Sequence, residues 1–177
     1  DNLEFKNLHF FAGAFNFFNA SYILLEDSIF SHSWEAGMSY LKPGIDADWW
    51  RGNFIKGGTN NTIRNCIFQY INDAFALAFR ASMNPLAENV LFQYNDWFKN
   101  TVWAPGATDN FRGSDKWYTA TSIGGSTFRY VTMDQNHTGG LQPGLESLVE
   151  YARIQNQYIN IDGSGIQRTT GNVVNST

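Results

Sequence analysis

Six times along the chain, apolar or small residues fall at positions i, i+3 and i+5. The sets are Phe5/Leu8/Phe10, Leu25/Ser28/Phe30, Ile63/Cys66/Phe68, Phe92/Asn95/Trp97, Phe128/Val131/Met133 and Val149/Ala152/Ile154. Position i+1 is polar in every set: Lys6, Glu26, Arg64, Gln93, Arg129 and Glu150. A helix cannot produce this pattern. A strand alternates faces with a period of two, so i+3 would land on the wrong face. One residue in a left-handed bend at i+2 restores the phase. Asn7, Asp27 and Asn65 hold that place in three sets, and Asn and Asp tolerate the bend best. Tyr94, Tyr130 and Tyr151 hold it in the others. The unit is strand, corner, strand, and its repetition predicts a coil of strands.

The anchors Phe5, Leu25, Ile63, Phe92, Phe128 and Val149 are separated by 20, 38, 29, 36 and 21 residues. The gaps of 20 and 21 are close to one coil, and the longer gaps add an inserted loop of roughly 8 to 18 residues. A second signature follows each anchor: a small residue, then a large apolar one. It reads Ala14-Phe15-Asn16, Gly37-Met38-Ser39, Ala74-Phe75-Ala76, Gly140-Leu141-Gln142 and Gly165-Ile166-Gln167, with Val102-Trp103 in the fourth coil. Each coil is therefore expected to carry three strands.

On these residues the chain resembles the right-handed parallel β-helix repeat superfamily, whose best-known members are pectate-lyase-like. The segment Asn61-Thr62-Ile63-Arg64-Asn65-Cys66-Ile67-Phe68 is similar to one unit of that repeat. The resemblance implies an all-β, single-stranded, right-handed parallel solenoid of about six coils, with long loops on one side. The alternative is a meander or sandwich of antiparallel strands, against which stands the lack of Asn-Gly-type turns. The repeat encodes stacking and not chemistry.

The length suits one domain, residues 1–177. Charged residues are scarce at 16% and aromatic residues plentiful at 16%. A net charge of −4 argues against nucleic acid as a partner, and no apolar run is long enough to span a membrane. The single cysteine, Cys66, falls on an inward position and reads as a small buried hydrophobe. Four Asn-x-Ser/Thr sequons, at Asn19, Asn60, Asn136 and Asn175, are candidate glycosylation sites. The repeat begins at residue 3, and a seventh coil is beginning at the last residues. Solenoid ends need caps. The chain is thus expected either to be a piece of a longer solenoid or to stack on other copies.

The insertions are expected after the small-apolar strand, at residues 41–60, 80–88 and 104–126, with a shorter one at 143–146. Leaving from one corner, they would form one wall. Trp49, Trp50, Trp103, Trp117 and Tyr118 lie in or at the base of that wall. Flat aromatic faces beside a groove suit the apolar C–H surfaces of sugar rings, although the same residues can simply pin loops to the barrel.

The groove is expected along the small-apolar strand. Just before that strand come Glu35, Asp73, His137 and Asp162. Asn16, Ser39, Gln142 and Gln167 point outward from it, with Arg80 at its far end. If Glu35 and Asp73 stack on successive coils, their carboxyls lie about 5 Å apart, the separation of a retaining glycosidase pair. His137 and Asp162 could likewise form an oriented base pair. The plainer reading is that such residues cap turns. The resemblance brings no catalytic motif with it: the paired Asp, Gly-His-Gly and Arg-x-Lys of pectin hydrolases do not occur, and Asp162-Gly163-Ser164-Gly165 is only a faint echo. Acids are not clustered densely enough to predict calcium, so no cofactor is expected.

The expected function is an extracellular or cell-surface β-helix that binds or processes polysaccharide, as a glycoside hydrolase or a lyase. The alternative is a structural filament or adhesive stalk built by end-to-end stacking.

Overall fold

The computed structural model describes residues 2–33, 53–71, 76–95, 118–123, 125–136, 139–157, 166 and 172–177. The corner residues set the architecture. The φ angle is 55° at Asn7, 51° at Asp27, 53° at Asn65, 52° at Asn89, 53° at Tyr130 and 54° at Tyr151. Each left-handed residue turns the chain between two strands and keeps the apolar side chains on both sides of the corner facing inward.

Three parallel sheets result. Sheet A contains, in order, β1 (Glu4–Lys6), β4 (Leu24–Glu26), β7 (Thr62–Arg64), β10 (Leu86–Glu88), β13 (Thr127–Arg129), β16 (Leu148–Glu150) and β18 (Asn172–Val174). Sheet B contains β2 (His9–Phe11), β5 (Ile29–Ser31), β8 (Ile67–Gln69), β11 (Leu91–Gln93), β14 (Thr132–Asp134) and β17 (Arg153–Gln155). Sheet C contains β3 (Asn16–Phe18), β6 (Phe54–Lys56), β9 (Leu77–Arg80), β12 (Tyr118–Ile123) and β15 (Gly139–Gln142). Every pairing is parallel. The chain visits A, then B, then C, and returns to A one strand further along. Each such circuit is called a rung below. Among the described residues there is no helix. The arrangement is consistent with a parallel β-helix and excludes the antiparallel alternative.

The core lies between the sheets and is built from columns. In sheet A, Leu25, Ile63, Ala87, Phe128 and Val149 stack in register and are buried. In sheet B the column is Phe10, Phe30, Phe68, Phe92, Met133 and Ile154. Its rings lie nearly parallel, with centroids 4.9 Å (Phe10–Phe30), 4.7 Å (Phe30–Phe68) and 5.2 Å (Phe68–Phe92) apart. Burying each such ring is worth about 1.5–3 kcal/mol, and stacking adds roughly 0.5–1.5 kcal/mol per pair. Ile55 and Phe79 face them from sheet C.

Buried asparagines enter this core as hydrogen-bonded columns. Asn95 Nδ2 donates to the Phe68 carbonyl at 3.0 Å, and its Oδ1 accepts from the Ile71 amide at 2.9 Å. Asn136 Nδ2 donates to the Phe92 carbonyl at 3.0 Å, while its Oδ1 accepts from the Asn95 amide at 3.1 Å. Each side chain bonds the backbone of the neighbouring rung, which offsets the cost of burying an amide.

Two sequence expectations are corrected. The fourth anchor is Ala87 and not Phe92: Ala87 pairs with Ile63 and Phe128, whereas Phe92 pairs with Phe68 and Met133 in sheet B. The error has a physical source. The corner from B to C also uses a left-handed residue two places after the inward one, here Tyr94 with φ 54°. The spacing therefore recurs twice per rung, and the large Phe92 carries a stronger hydrophobic signal than the small Ala87.

The insertions were also misplaced. Phe54–Lys56, expected in a loop, is the sheet-C strand of the second rung. Gly57 and Gly58, both with φ 69°, form the corner after it. The stretch 80–88 holds the end of β9, a short turn and β10, so it contains no insertion. Tyr118–Ile123 is strand β12. The long connections in sequence, 34–52 and 96–117, join sheet B to sheet C, before the third strand of the rung and not after it; they lie outside the described residues.

Candidate functional site

The outer face of sheet C was the expected groove. Its described part is not an open surface at the second and third rungs. Phe54 and Ala78 point away from the core, pair with each other and are buried. Arg80, expected to bind substrate, is only 7% exposed at the end of β9, paired with Ile123 on one side and Lys56 on the other. Gln142 is half-buried, paired with Thr121. Tyr118 opens β12 opposite Gly139. Glu35, Asp73, His137, Asp162, Trp49, Trp50, Trp103, Trp117 and Gln167 lie outside the described residues.

The sheet-C register fixes the described positions from which these residues are counted in sequence. Placing Glu35 beside Asp73 required Gly37-Met38-Ser39 to be the third strand of the second rung. The strand that pairs with β3 and β9 is Phe54–Lys56, so that premise fails. His137 and Asp162 each precede by four residues the paired positions Leu141 and Ile166. Asp73 has the same offset from Leu77, which pairs with Ala120.

Sheet A turns a column of charge to solvent. With Glu88 in its proper place, the residues at i+1 read Lys6, Glu26, Arg64, Glu88, Arg129 and Glu150, strictly alternating in sign. Lys6 Nζ lies 3.3 Å from Glu26, and Arg64 Nη2 lies 2.5 Å from the same carboxylate. Arg129 bonds Glu150 and lies 3.5 Å from Glu88. Hydrogen bonds from Arg64 and then Lys6 hold the Glu26 carboxyl below its ordinary range. Bonds to Glu4 and Glu26 raise Lys6, and Glu150 raises Arg129. These charges satisfy one another and leave little for a ligand.

The other two outer corners carry aromatic and amide columns. At the B-to-C corner, His32, Tyr70 and Tyr94 follow one another at centroid distances of 5.0 and 5.2 Å, and Phe11 at the end of β2 lies 5.0 Å from His32. At the A-to-B corner, Asn65 Nδ2 donates to Asp27 at 3.0 Å and Asn89 Nδ2 donates to Asn65 at 2.9 Å. Tyr130 and Tyr151 continue that corner as a stacked pair 4.8 Å apart. Between the corners, on sheet B, Gln93 Nε2 donates to Gln69 Oε1 at 2.8 Å. Sequence reasoning missed the His32-Tyr70-Tyr94 column. The available signal was the residue two places after each inward sheet-B phenylalanine.

The sequons separate by position. Asn19, Asn60 and Asn175 are exposed at left-handed corners. Asn136 is fully buried and its amide is committed to the core column, so the folded chain leaves no room there for a glycan. Cys66 is buried, and desolvation pushes its thiol up to about 11. Among the described residues no group of His, Cys, Asp and Glu is placed to hold a metal ion, and no helix is long and apolar enough to cross a membrane. No protein-family model, curated protein or solved structure matches the chain.

Proposed function

We propose that this chain is a right-handed parallel β-helix, of the pectate-lyase-like kind its repeat resembles, that recognises polysaccharide outside the cell. The observation that carries the reading is the exposed aromatic surface. Tyr70, Tyr130 and Tyr151 are 41%, 51% and 44% exposed on the outer corners, beside asparagine and glutamine columns. Phenol rings offer apolar surface to sugar C–H groups, and the hydroxyls and amides offer both donors and acceptors. The test is retention of the purified chain on insoluble polysaccharides and its retardation by soluble ones in native gels. Retention by at least one glycan, competed by its oligosaccharides, is expected. Indifference to every glycan in the panel removes the reading.

Processing of the bound polymer extends this proposal. The shared offset favours His137 with Asp162 as the pair to examine, ahead of Glu35 with Asp73. Release of new reducing ends by the native chain, and its loss in His137→Gln with binding retained, is the expected result. Equal release by both proteins excludes His137.

A second reading is end-to-end assembly. Among the described residues β1, β2 and β3 each stand at the edge of their sheet, and Phe11 in β2 and Phe18 in β3 are exposed. Free parallel edges accept another strand. Under this reading the occupant is a second copy of the chain, and sedimentation that grows with concentration is its signature.

A further inference from the structure

We infer that the ligand is an unbranched, uncharged glycan lying along the outer face of sheet B, over the third and fourth rungs. The inference rests on the polysaccharide reading above and moves its site away from sheet C.

Those two rungs present residues of the same chemical kind in the same places. Ile67 and Leu91 pair in register and face outward, both partly exposed. Gln69 and Gln93 form the next column, and Tyr70 and Tyr94 stand beyond them at the corner. Asn65 and Asn89 border the opposite side. From edge to edge the surface therefore reads amide, aliphatic, amide, phenol, repeated at the strand spacing of about 4.8 Å. Like groups repeated on two successive rungs along one axis suit a ligand whose own units repeat.

The chemistry of that chain follows from the groups. A primary amide has two donor hydrogens and two acceptor lone pairs. Gln69 and Gln93 are half-buried and share one hydrogen bond, which leaves part of that capacity for a ligand. The aliphatic column between the amides suits the C–H side of a sugar ring. No side chain of these four columns carries a formal charge in these rungs, so nothing there answers a uronate, sulfate or phosphate. Sheet A makes the contrast: its outer face is a self-satisfied column of ion pairs. In the fifth and sixth rungs Asp134 and Arg153 interrupt the neutral surface, which sets one end of the site. On sheet C, the burial of Phe54 and Ala78 leaves no equivalent open strip in the second and third rungs.

The experiment compares two sheet-B variants, Leu91→Lys and Gln93→Glu, with a sheet-A control, Leu86→Lys, on the same rung. Thermal melting of each variant establishes that it folds. Binding is read against a neutral unbranched glycan that the native chain retains and against a polyuronate. Each sheet-B variant is expected to weaken binding to the neutral glycan by about tenfold or more, and the control by less than about twofold. Undiminished binding by both folded sheet-B variants overturns the sheet-B site while leaving polysaccharide recognition standing. Preference of the native chain for the polyuronate overturns the neutral ligand. A native chain that binds no glycan at all removes this inference and the functional reading together. If the sheet-B variants instead abolish a lateral dimer seen in sedimentation, the face is a contact between copies and the inference is overturned.

Discussion

Arg64 Nη2 lies 2.5 Å from Glu26 Oε1, although 38 residues separate them in sequence. The two meet because each sits one place after the inward residue of its own sheet-A strand, and those strands pair Leu25 with Ile63. The alternating column that contains them lies half-buried at the surface, within reach of salt and protons. The folded chain holds the Glu26 carboxyl below its ordinary range. A depressed carboxylate stabilises the fold above its unfolded pKa, and that contribution fades as pH falls through the folded value. Melting temperature should therefore drop as pH falls below the ordinary carboxylate range, and less so in Glu26→Gln. Identical acid sensitivity in both proteins would discount Glu26. Reversing one sign, as in Glu88→Lys, places three cations in succession and is expected to lower the melting temperature by about 2–4 °C.

Asn136 is both a sequon asparagine and a buried rung-to-rung connector. Replacing it with Leu removes the acceptor of the Asn95 amide and the donor to the Phe92 carbonyl. The expected loss is about 2–4 kcal/mol in chemical unfolding, because two buried backbone groups lose their partners. Expression through a secretory pathway should add glycan at Asn19 or Asn60 but none at Asn136, as read by peptide mass. Glycan found at Asn136 would mean that this corner opens before modification.

Gly58 approaches the preceding rung more closely than any side chain allows. A Cβ built there would stand 1.8 Å from the Ala20 carbonyl oxygen, and φ is 69°. Gly58→Ala should cost about 3 kcal/mol or more, or prevent folding, because both the backbone bend and the close approach are violated. Gly125→Ala is the comparison: its Cβ would meet its nearest neighbour at 3.5 Å, an ordinary contact, and near-native stability is expected. Equal tolerance at both positions would show that the second corner is not packed as described.

Burial pushes the Cys66 thiol up to about 11, and the side chain faces the Leu25 and Arg64 carbonyls. A disulfide reagent at pH 8 should therefore label the folded chain slowly and the unfolded chain at once. Labelling should rise along the denaturant curve in step with loss of structure. Rapid labelling of the native chain would require Cys66 to be reachable without global unfolding.

Some of this was readable from single residues. The inward triplets Phe5/Leu8/Phe10, Leu25/Ser28/Phe30 and Ile63/Cys66/Phe68 carried the strand period and its corner in the same six positions. So did Asn7, Asp27 and Asn65, whose type suits a left-handed bend. Ala87 was not readable, because a small inward residue leaves no hydrophobic signal and Phe92 five places on imitates one. The end of the second rung was not readable either. Gly57-Gly58 is as consistent with a loop as with a corner, and only the pairing of Phe54–Lys56 with its neighbours decides between them.

The sequence by itself determined that strands turn at single left-handed residues and stack apolar on apolar, because period and corner chemistry are local. It also contained every member of the charge column and the amide columns. The tertiary structure alone decided which residues lie above one another. Rungs differ in length, with 20 residues from Phe5 to Leu25 and 38 from Leu25 to Ile63, so vertical neighbours cannot be counted along the chain. Register fixed Glu88 between Arg64 and Arg129, set Tyr70 on Tyr94, paired the buried Phe54 with Ala78 on the expected groove and aligned the neutral columns of sheet B.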